Sequence, residues 1–376
     1  MASLYPRQSA PIDETDVAII GGGPAGAAAA LTLLRYTKHR VVLVEGTSYQ
    51  FPRAGEMVSA AVVPLLDYLG ASSRVATNDR IESFSHSASW GSPLVTTRDF
   101  MLTGRGHGWT LDRQHFDAAL AGYVIELGGT LLVNTWLRSS AYENGRWLLQ
   151  LAGDAYGQIL ASQVIDATGR RATFARSTGA QRTFYDRMVG VVSYFSLGDT
   201  AITQTTLVES VANGWWYSSA LPNRRAIAAF MTDIDYLRSA RLVSTTNFQA
   251  QLSATQHTQA RLDIAQMEGR PHVFPAQSQI LEPCIGPQWV AAGDAATAFD
   301  PLSSLGIGHA LLSGIQAARI VDQRLERVEE LAAAFANDVH QNFDTFLAQR
   351  QKLYSLERRW PESPFWRRRE ATASIG

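Results

Sequence analysis

Apolar residues first gather in a short run at 16–20, and again in VVLVE at 41–45, where both faces are apolar as in a strand buried in a parallel sheet. Between them AGAAAALTLLRY combines helix-forming residues with a strong apolar face. The pattern predicts strand, glycine turn, helix, strand. A helix is expected from Ser59 to Leu69 despite Pro64, then strand-like, turn-rich sequence at 81–105 around Trp90. LDRQHFDAALAGYVIELGG repeats Phe116, Leu120, Tyr123 and Leu127 at three- and four-residue spacing and stops at Gly128-Gly129, which predicts another helix. TLLVNTWLRSS and RWLLQLAG read as neighbouring strands, and SQVIDATG as a strand ending in a glycine turn.

From Met188 to Thr232 the rhythm shortens to VGVVSYFSL, TQTTLVES, GWWYSSALP and AIAAFMTD, rich in aromatic and β-branched residues, which predicts an antiparallel sheet. Residues 236–266 read as helical and polar-faced. QWVAAGDAA returns to the first domain, IGHALLSGIQAARIVDQRL supplies a long helix, and two further helices are expected around 326–350 and 351–359. The fold class is therefore α/β: a Rossmann-like dinucleotide domain with a mostly parallel sheet, an antiparallel β-sheet substrate domain and C-terminal helices. The expected divisions are 14–80, 109–180 and 276–325 for the dinucleotide domain, 81–108 for an excursion into the substrate domain, 181–275 for the substrate domain itself, and 326–376 for the terminal helices.

Composition removes several functions. The formal charge of −1 leaves no electrostatic footprint for nucleic acid. The basic segment RRWPESPFWRRRE reads as a solvated helix end. A single cysteine, Cys284, excludes an intrachain disulfide and argues against a thiolate metal cluster, so no metal is expected; its setting reads as a buried filler before a strand. No signal-peptide pattern and no transmembrane segment are visible, and the cytoplasm is the expected location. Lysine occurs only at 38 and 352.

The chemistry begins at Gly21, Gly23 and Gly26. In a G-x-G-x-x-G turn the first glycine permits the bend, the second lets backbone approach a pyrophosphate, and the third lets helix and strand pack closely. Pro24 and Ala25 complete this turn, whose helix N-terminus favours negative charge. Glu45, 19 residues beyond Gly26 and followed by Gly46, suits a ribose 2'-hydroxyl and would repel a 2'-phosphate. About 270 residues further on, VAAGDAA places Gly293-Asp294 after an apolar strand, where the carboxylate suits the ribityl hydroxyls of an extended flavin or caps a helix. DPLSSLGIGHAL follows, with Pro301, Gly306 and Ile307 at the start of a helix whose N–H groups suit an electron-rich flavin ring. The two segments together point to FAD.

These motifs resemble the superfamily of FAD-dependent monooxygenases and flavin-dependent halogenases, the group A flavoprotein hydroxylase fold, over residues 14–325. The resemblance implies that Arg113, in WTLDRQHFDAAL, reaches the cofactor with Asp112 and Phe116 supporting its turn, that Arg53, in RAGE, lies near the flavin, and that Asp166, in DATGR, is structural. Halogenases of this group pass hypohalous acid to a lysine deep in the substrate domain, and no lysine lies between 38 and 352. The SSLG loop and WWYSSALP also depart from the halogenase pattern, and arginine stays protonated. Hydroxylation of an aromatic substrate through a flavin C4a-hydroperoxide is expected instead, with O2 as co-substrate and electrons from NAD(P)H or from reduced flavin supplied by a separate reductase.

Within the superfamily, GWWYSSALP, the WG near 90 and HGW at 107–109 resemble the flavoproteins that mature cysteine tryptophylquinone in lysine and glycine oxidases. That resemblance implies a partner, a precursor quinoprotein amino-acid oxidase whose tryptophan is oxygenated. Small or carrier-bound aromatic hydroxylation, and reduction or dehydrogenation on the same fold, are the alternatives. Alternation along the strand puts Trp215 and Tyr217 on one face and Trp216 on the other, so Trp215 and Tyr217 are expected to line the substrate side. His309 is a candidate to hydrogen-bond flavin or substrate, against a packing role. Glu56 is expected to orient Arg53 through a charge-assisted bond, with direct proton transfer as the lesser role.

Overall fold

The computed structural model describes residues 14–75, 79–100, 106–328 and 330–370. Glu14–Ile20, the first strand, pairs in parallel with Val41–Val44 on one side and Gly157–Asp166 on the other, in a register that sets Ile20 against Val44 and Asp166. Thr130–Leu132 and Trp289–Ala291 extend this parallel centre at its two edges. The hairpin Thr135–Glu143 and Arg146–Gly153 joins Gly157–Asp166 antiparallel, and Ile285–Gly286 adds an antiparallel edge. The sheet is thus eight-stranded and mixed around a parallel core.

The fingerprint helix, Pro24–Tyr36, follows the glycine turn with proline in its first turn, where a missing N–H costs nothing. It is buried from Ala25 through Leu33 because it is covered on both sides, by the sheet and by the long helix Gly306–Leu325. That helix pair packs closely, since a Cβ at Gly314 would overlap the Ala25 carbonyl oxygen, and the turn before the first helix is as tight, since a Cβ at Gly26 would overlap the Gly21 carbonyl oxygen. Arg113–Glu126, the central helix, is capped by Asp112, which accepts from the backbone of Gln114 and His115, and buries Phe116, Leu120 and Tyr123. The expected helix at 59–69 is a 3-10 turn, Ala60–Val62, running into Val63–Tyr68. Cys284 is buried, and burial pushes its thiol up to about 11.

The four aromatic strands form the heart of a seven-stranded sheet in the order Gln266–Pro275, Met188–Ser196, Arg225–Asp233, Gly214–Leu221, Thr205–Val211, Ser85–Ser89 and Thr96–Asp99. The last two come from the predicted excursion, and Ser85–Ser89 enters through a parallel pairing with Thr205–Val211. One face is covered by the helices Ile234–Ser239, Thr245–Ser253 and His257–Leu262; there Trp216 stacks on Phe230 with ring centroids 4.9 Å apart. The opposite face carries Tyr194, Trp215 and Ile227 and packs against Ala54, Leu302 and the C-terminal segment. A small sheet of Met57–Val58, Gly108–Leu111 and Arg80–Ser83 joins the two layers.

The C-terminus differs from expectation. Instead of two helices meeting near 350, one helix runs from Glu330 to Tyr354, because Phe335, Val339, Phe343, Phe346, Arg350 and Tyr354 keep one stripe buried across that point. A short helix, Pro364–Glu370, follows after Pro361. The basic end is docked, not solvated. Arg369 is buried and pairs with buried Asp233 at 2.9 Å, Arg368 bridges Asp233 and Asp235, and the Trp366 indole donates to the Val211 carbonyl. Charge and aromatic area act together here, and composition near the terminus cannot register the acidic partners on distant strands.

Gly314→Ala is expected to lower unfolding free energy by about 1–3 kcal/mol through overpacking, seen as a lower urea midpoint at unchanged slope; an unmoved midpoint would show that the two helices do not meet as described.

Candidate functional site

The glycine turn, Glu45, the RAGE loop, Gly293-Asp294 and the 300–308 loop border one crevice, because the fingerprint helix touches both ends of the chain. Gly21 has φ +108°, and a side chain there would collide with the Ala167 carbonyl. At Gly23, by contrast, a Cβ would meet only an Arg53 amino group, 3.9 Å away. Backbone is therefore open at the one position where a phosphate must approach. Gly23 also caps the helix without a side-chain acceptor, leaving the first N–H groups to a ligand.

Glu45 is buried and accepts from the Gly22 and Thr47 amides, the Thr47 hydroxyl and Arg53, at 2.6–3.0 Å. These four bonds match the acceptor capacity of a carboxylate, so a ribose hydroxyl competes with Arg53 for it. Arg53 spans Glu45 and fully buried Asp117, at 2.9 and 3.0 Å, and lies over the Tyr49 ring. Asp117 also holds Arg113, whose terminal nitrogen donates to the Ala54 and Gly55 carbonyls. Two arginines and two carboxylates thus fix the loop at 53–55 against the central helix. Tyr49 closes the nucleotide side, its hydroxyl donating to the Gly22 carbonyl at 2.9 Å. Gly46 has open space around it.

At the far end Asp294 pairs with Arg170 at 3.3 Å, and Arg170 also binds the Phe299 carbonyl. Gly293 adopts φ +59° against Ala25, and its amide donates to Ser313. Asp166 is structural, its carboxylate accepting from Thr168 and the Ala175 amide. Pro301 begins a short 3-10 turn, and Gly306 and Ile307 open a 20-residue helix with no side-chain cap and nothing within 4 Å of a Cβ at Gly306. An uncapped helix start beside open space favours an electron-rich group. These features fit FAD: an anion-binding turn, a carboxylate for ribose, arginines along the nucleotide and a helix N-terminus for the ring.

Two expectations at the reacting end change. Glu56 does not orient Arg53, which is committed to Glu45 and Asp117. Glu56 is instead buried with its Oε1 unpartnered among described residues, and burial raises its carboxyl to about 7 against the opposing pull of Arg113. Trp215 turns to the flavin-loop side, yet it lines no open surface: its indole donates to Tyr354 at 2.9 Å beneath Trp90 and Trp366. Tyr217 lies on the same face with a buried hydroxyl, and burial together with nearby Glu56 raises its pKa. His309 approaches the Thr297 hydroxyl at 3.0 Å and stands edge-on to Phe299, and burial lowers its pKa; these contacts are those of the packing role.

Sequence reasoning missed Tyr49, Asp117 and the node around Asp300. Asp117 stands four residues after Arg113, a spacing that puts the two on one helix face. Buried Asp300 caps the loop turn, accepts from Arg350 at 3.0 Å and from the Tyr354 hydroxyl at 2.9 Å, while Arg350 also pairs with Asp186. No local signal links residues 186, 300 and 350.

The family model described as FAD dependent oxidoreductase matches residues 16–276. This chain belongs to the FAD-dependent oxidoreductases. It is 29% identical over 371 residues to the protein named FAD-dependent oxidoreductase LodB of Marinomonas mediterranea, covering 97% of this chain and 99% of that one. It is 23% identical to a tryptophan 2-halogenase of Chondromyces crocatus, covering 85% of this chain and 63% of the halogenase. Among solved structures, the flavin-dependent halogenase CmlS superposes with TM-score 0.84 at 24% identity, covering 96% of this chain and 68% of CmlS. The peptidyl tryptophan dihydroxylase QhpG, essential for tryptophylquinone cofactor biogenesis, superposes with TM-score 0.71 at 25% identity, covering 95% and 78%. FAD is the cofactor that this family and this crevice share.

Gly23→Val is expected to weaken FAD binding about tenfold or more with an unchanged far-ultraviolet circular dichroism spectrum; a flavin titration as tight as that of the parent would contradict the site. Arg350→Met leaves two buried carboxylates without their cation and should cost about 3–5 kcal/mol in urea unfolding, with partial recovery when Asp186→Asn and Asp300→Asn accompany it; an unchanged midpoint for the single variant would show that the node carries no stability.

Proposed function

We propose that this chain is an FAD-dependent monooxygenase that hydroxylates an aromatic ring, and that the ring is a tryptophan side chain of a partner protein, a precursor quinoprotein amino-acid oxidase. The observation that carries the reading is where amines are absent: Lys38 and Lys352 are both exposed, and no other lysine occurs in the chain. The buried side of the aromatic sheet therefore has no amine to carry an oxidised halogen. The similarity to QhpG, a peptidyl tryptophan dihydroxylase, favours tryptophan as the target over a halogen-accepting metabolite.

The overall reaction consumes one O2, two electrons and two protons, placing one oxygen atom on the ring and releasing the other as water. Bound FAD would supply the redox chemistry that links electrons from NAD(P)H or a separate reductase to oxygen. The chain's own residues bind and orient. Arg53, held by Glu45 and Asp117, and Arg113 would hold the nucleotide side, while Gly306 and Ile307 would offer helix N–H groups to the ring. Tyr354, Trp366 and Trp90 pack together over the sheet face that carries Trp215 and meets Leu302 of the 300–308 loop. No described helix is long and apolar enough to cross a membrane.

The test is to supply the reduced protein with oxygen-18 gas and a tryptophan-bearing precursor oxidase. Label in an indole ring, found by peptide mass spectrometry, is the expected result. Hydrogen peroxide formation with unlabelled precursor would overturn the tryptophan reading, and oxygen-insensitive reduction of an alkene substrate would replace it with the reductase alternative. Rapid bleaching of the flavin band by NAD(P)H alone would identify the nicotinamide as direct donor; bleaching only with added reductase would assign the separate donor.

A further inference from the structure

Another small sheet adjoins the flavin loop and has an open outer edge. Its three antiparallel strands run in the order Gln181–Phe184, Gln279–Glu282 and Thr297–Ala298. Thr297–Ala298 leads directly into Asp300 and the 300–308 loop, whereas Gln181–Phe184 is the outer strand. The ladder sets Gln181 against Glu282 and Phe184 against Gln279, and just beyond it the Tyr185 amide donates to the Ser278 carbonyl at 3.0 Å. Hydrogen-bonded and non-hydrogen-bonded pairs alternate in an antiparallel ladder. The bonded pair at Tyr185 therefore makes Arg182 and Phe184 the residues whose N–H and C=O groups point away from the sheet. None of these four groups has a hydrogen-bond partner among described residues.

Along this edge runs an open groove of about 420 Å³, lined by Arg176, Gly179, Ala180, Gln181, Arg182 and Phe184. Arg182 and Phe184 share one face of the strand, the guanidinium 5.0 Å from the ring centre, and Phe184 is 47% exposed. Arg182 donates to the Arg170 carbonyl at 2.7 Å, and neither it nor Arg176 forms an ion pair among described residues. Burial and the neighbouring Arg176 charge pull Arg182 below the ordinary arginine value. Glu282, opposite Gln181 on the middle strand, is bonded to His340 at 2.7 Å. An open strand edge, a groove and two uncompensated cations together suit an anion carried on extended chain.

We infer that Gln181–Phe184 is a docking edge for a partner protein, which adds a short extended segment bearing aspartate or glutamate as a fourth strand. The outward backbone groups of Arg182 and Phe184 pair with that segment, the two arginines bind its carboxylates, and the Phe184 ring packs on an apolar side chain between them. Two strand spacings of about 4.8 Å each separate the edge from the strand that enters the flavin loop. A protein held here is therefore held on the framework of that loop. The occupant is the tryptophan-bearing precursor oxidase, an assignment that rests on the function proposed above; the edge, its groove and its charge stand without it.

The experiment combines the FAD-loaded protein with purified precursor oxidase in the absence of reductant, read by amide hydrogen exchange and calorimetric titration. Slowed exchange at 181–184 on adding the precursor is expected. Arg176→Glu combined with Arg182→Glu should weaken binding about tenfold or more while flavin absorbance stays parental. Phe184→Pro removes an outward N–H that the middle strand does not use, and should weaken binding more than Phe184→Ala. A peptide alternating glutamate and valine should displace the precursor, and its lysine counterpart should not. No binding of the precursor, protection elsewhere than 181–184, parental affinity in the charge-reversed variant, or equal losses in Phe184→Pro and Phe184→Ala would each overturn the docking edge. Binding is read without turnover, so the two readings fail separately. A precursor that docks at 181–184 but takes up no oxygen-18 in its indole supports the edge and contradicts hydroxylation, and a labelled precursor without protection at 181–184 contradicts the edge alone.

Discussion

The close approach of the fingerprint helix to its neighbours is the constraint on which the molecule depends. Its first turn lies against the Gly21 carbonyl on one side and against Gly293 and Gly314 on the other. Side chains at these points would force the elements apart, so their absence holds segments about 270 residues distant in sequence on one crevice. Backbone N–H groups, two arginines and a helix N-terminus then face the same space without any long-range pairing having to choose that arrangement. The free energy for this comes from apolar burial along the helix, and the glycines determine where that burial places the polar groups.

The reacting end depends on a different interaction. Asp300, at the turn of the flavin loop, is tied by Arg350 to Asp186 and by Tyr354 to Trp215. A buried ion network of this kind contributes little net stability against an apolar substitute, but losing one partner is costly. Its effect is therefore positional: loop, sheet and C-terminal helix move as one unit. The basic terminal helix adds a second clasp through Arg369 and Asp233. Both clasps shield the face that carries Trp215, which limits how a bulky ring reaches it.

Features encoded within one or two turns of chain were legible before the structure. The glycine spacing, the strand entering it and Glu45 after the second strand describe a local unit whose geometry follows from backbone sterics. Period-two alternation correctly separated Trp215 from Trp216, since a strand offers only two faces. What alternation could not show was the occupant of each face, and Trp215 meets a helix from residues 330–354. The same limit explains Arg53. A glutamate three residues away is the obvious local partner, yet the fold supplies Glu45 and buried Asp117, and Glu56 is left facing a cavity. The docked arginines at 368 and 369 were equally illegible, because their carboxylates arrive on strands more than a hundred residues earlier.

That the two distant segments form one FAD crevice is tested most directly by amide hydrogen exchange on the apoprotein and the FAD-loaded protein. Slowed exchange on loading is predicted at 21–26, 45–53, 293–294 and 301–308 together, with little change in the helices covering Trp216. Protection confined to the first segment, with the 293–308 region exchanging as in the apoprotein, would contradict the shared crevice and the account built on it.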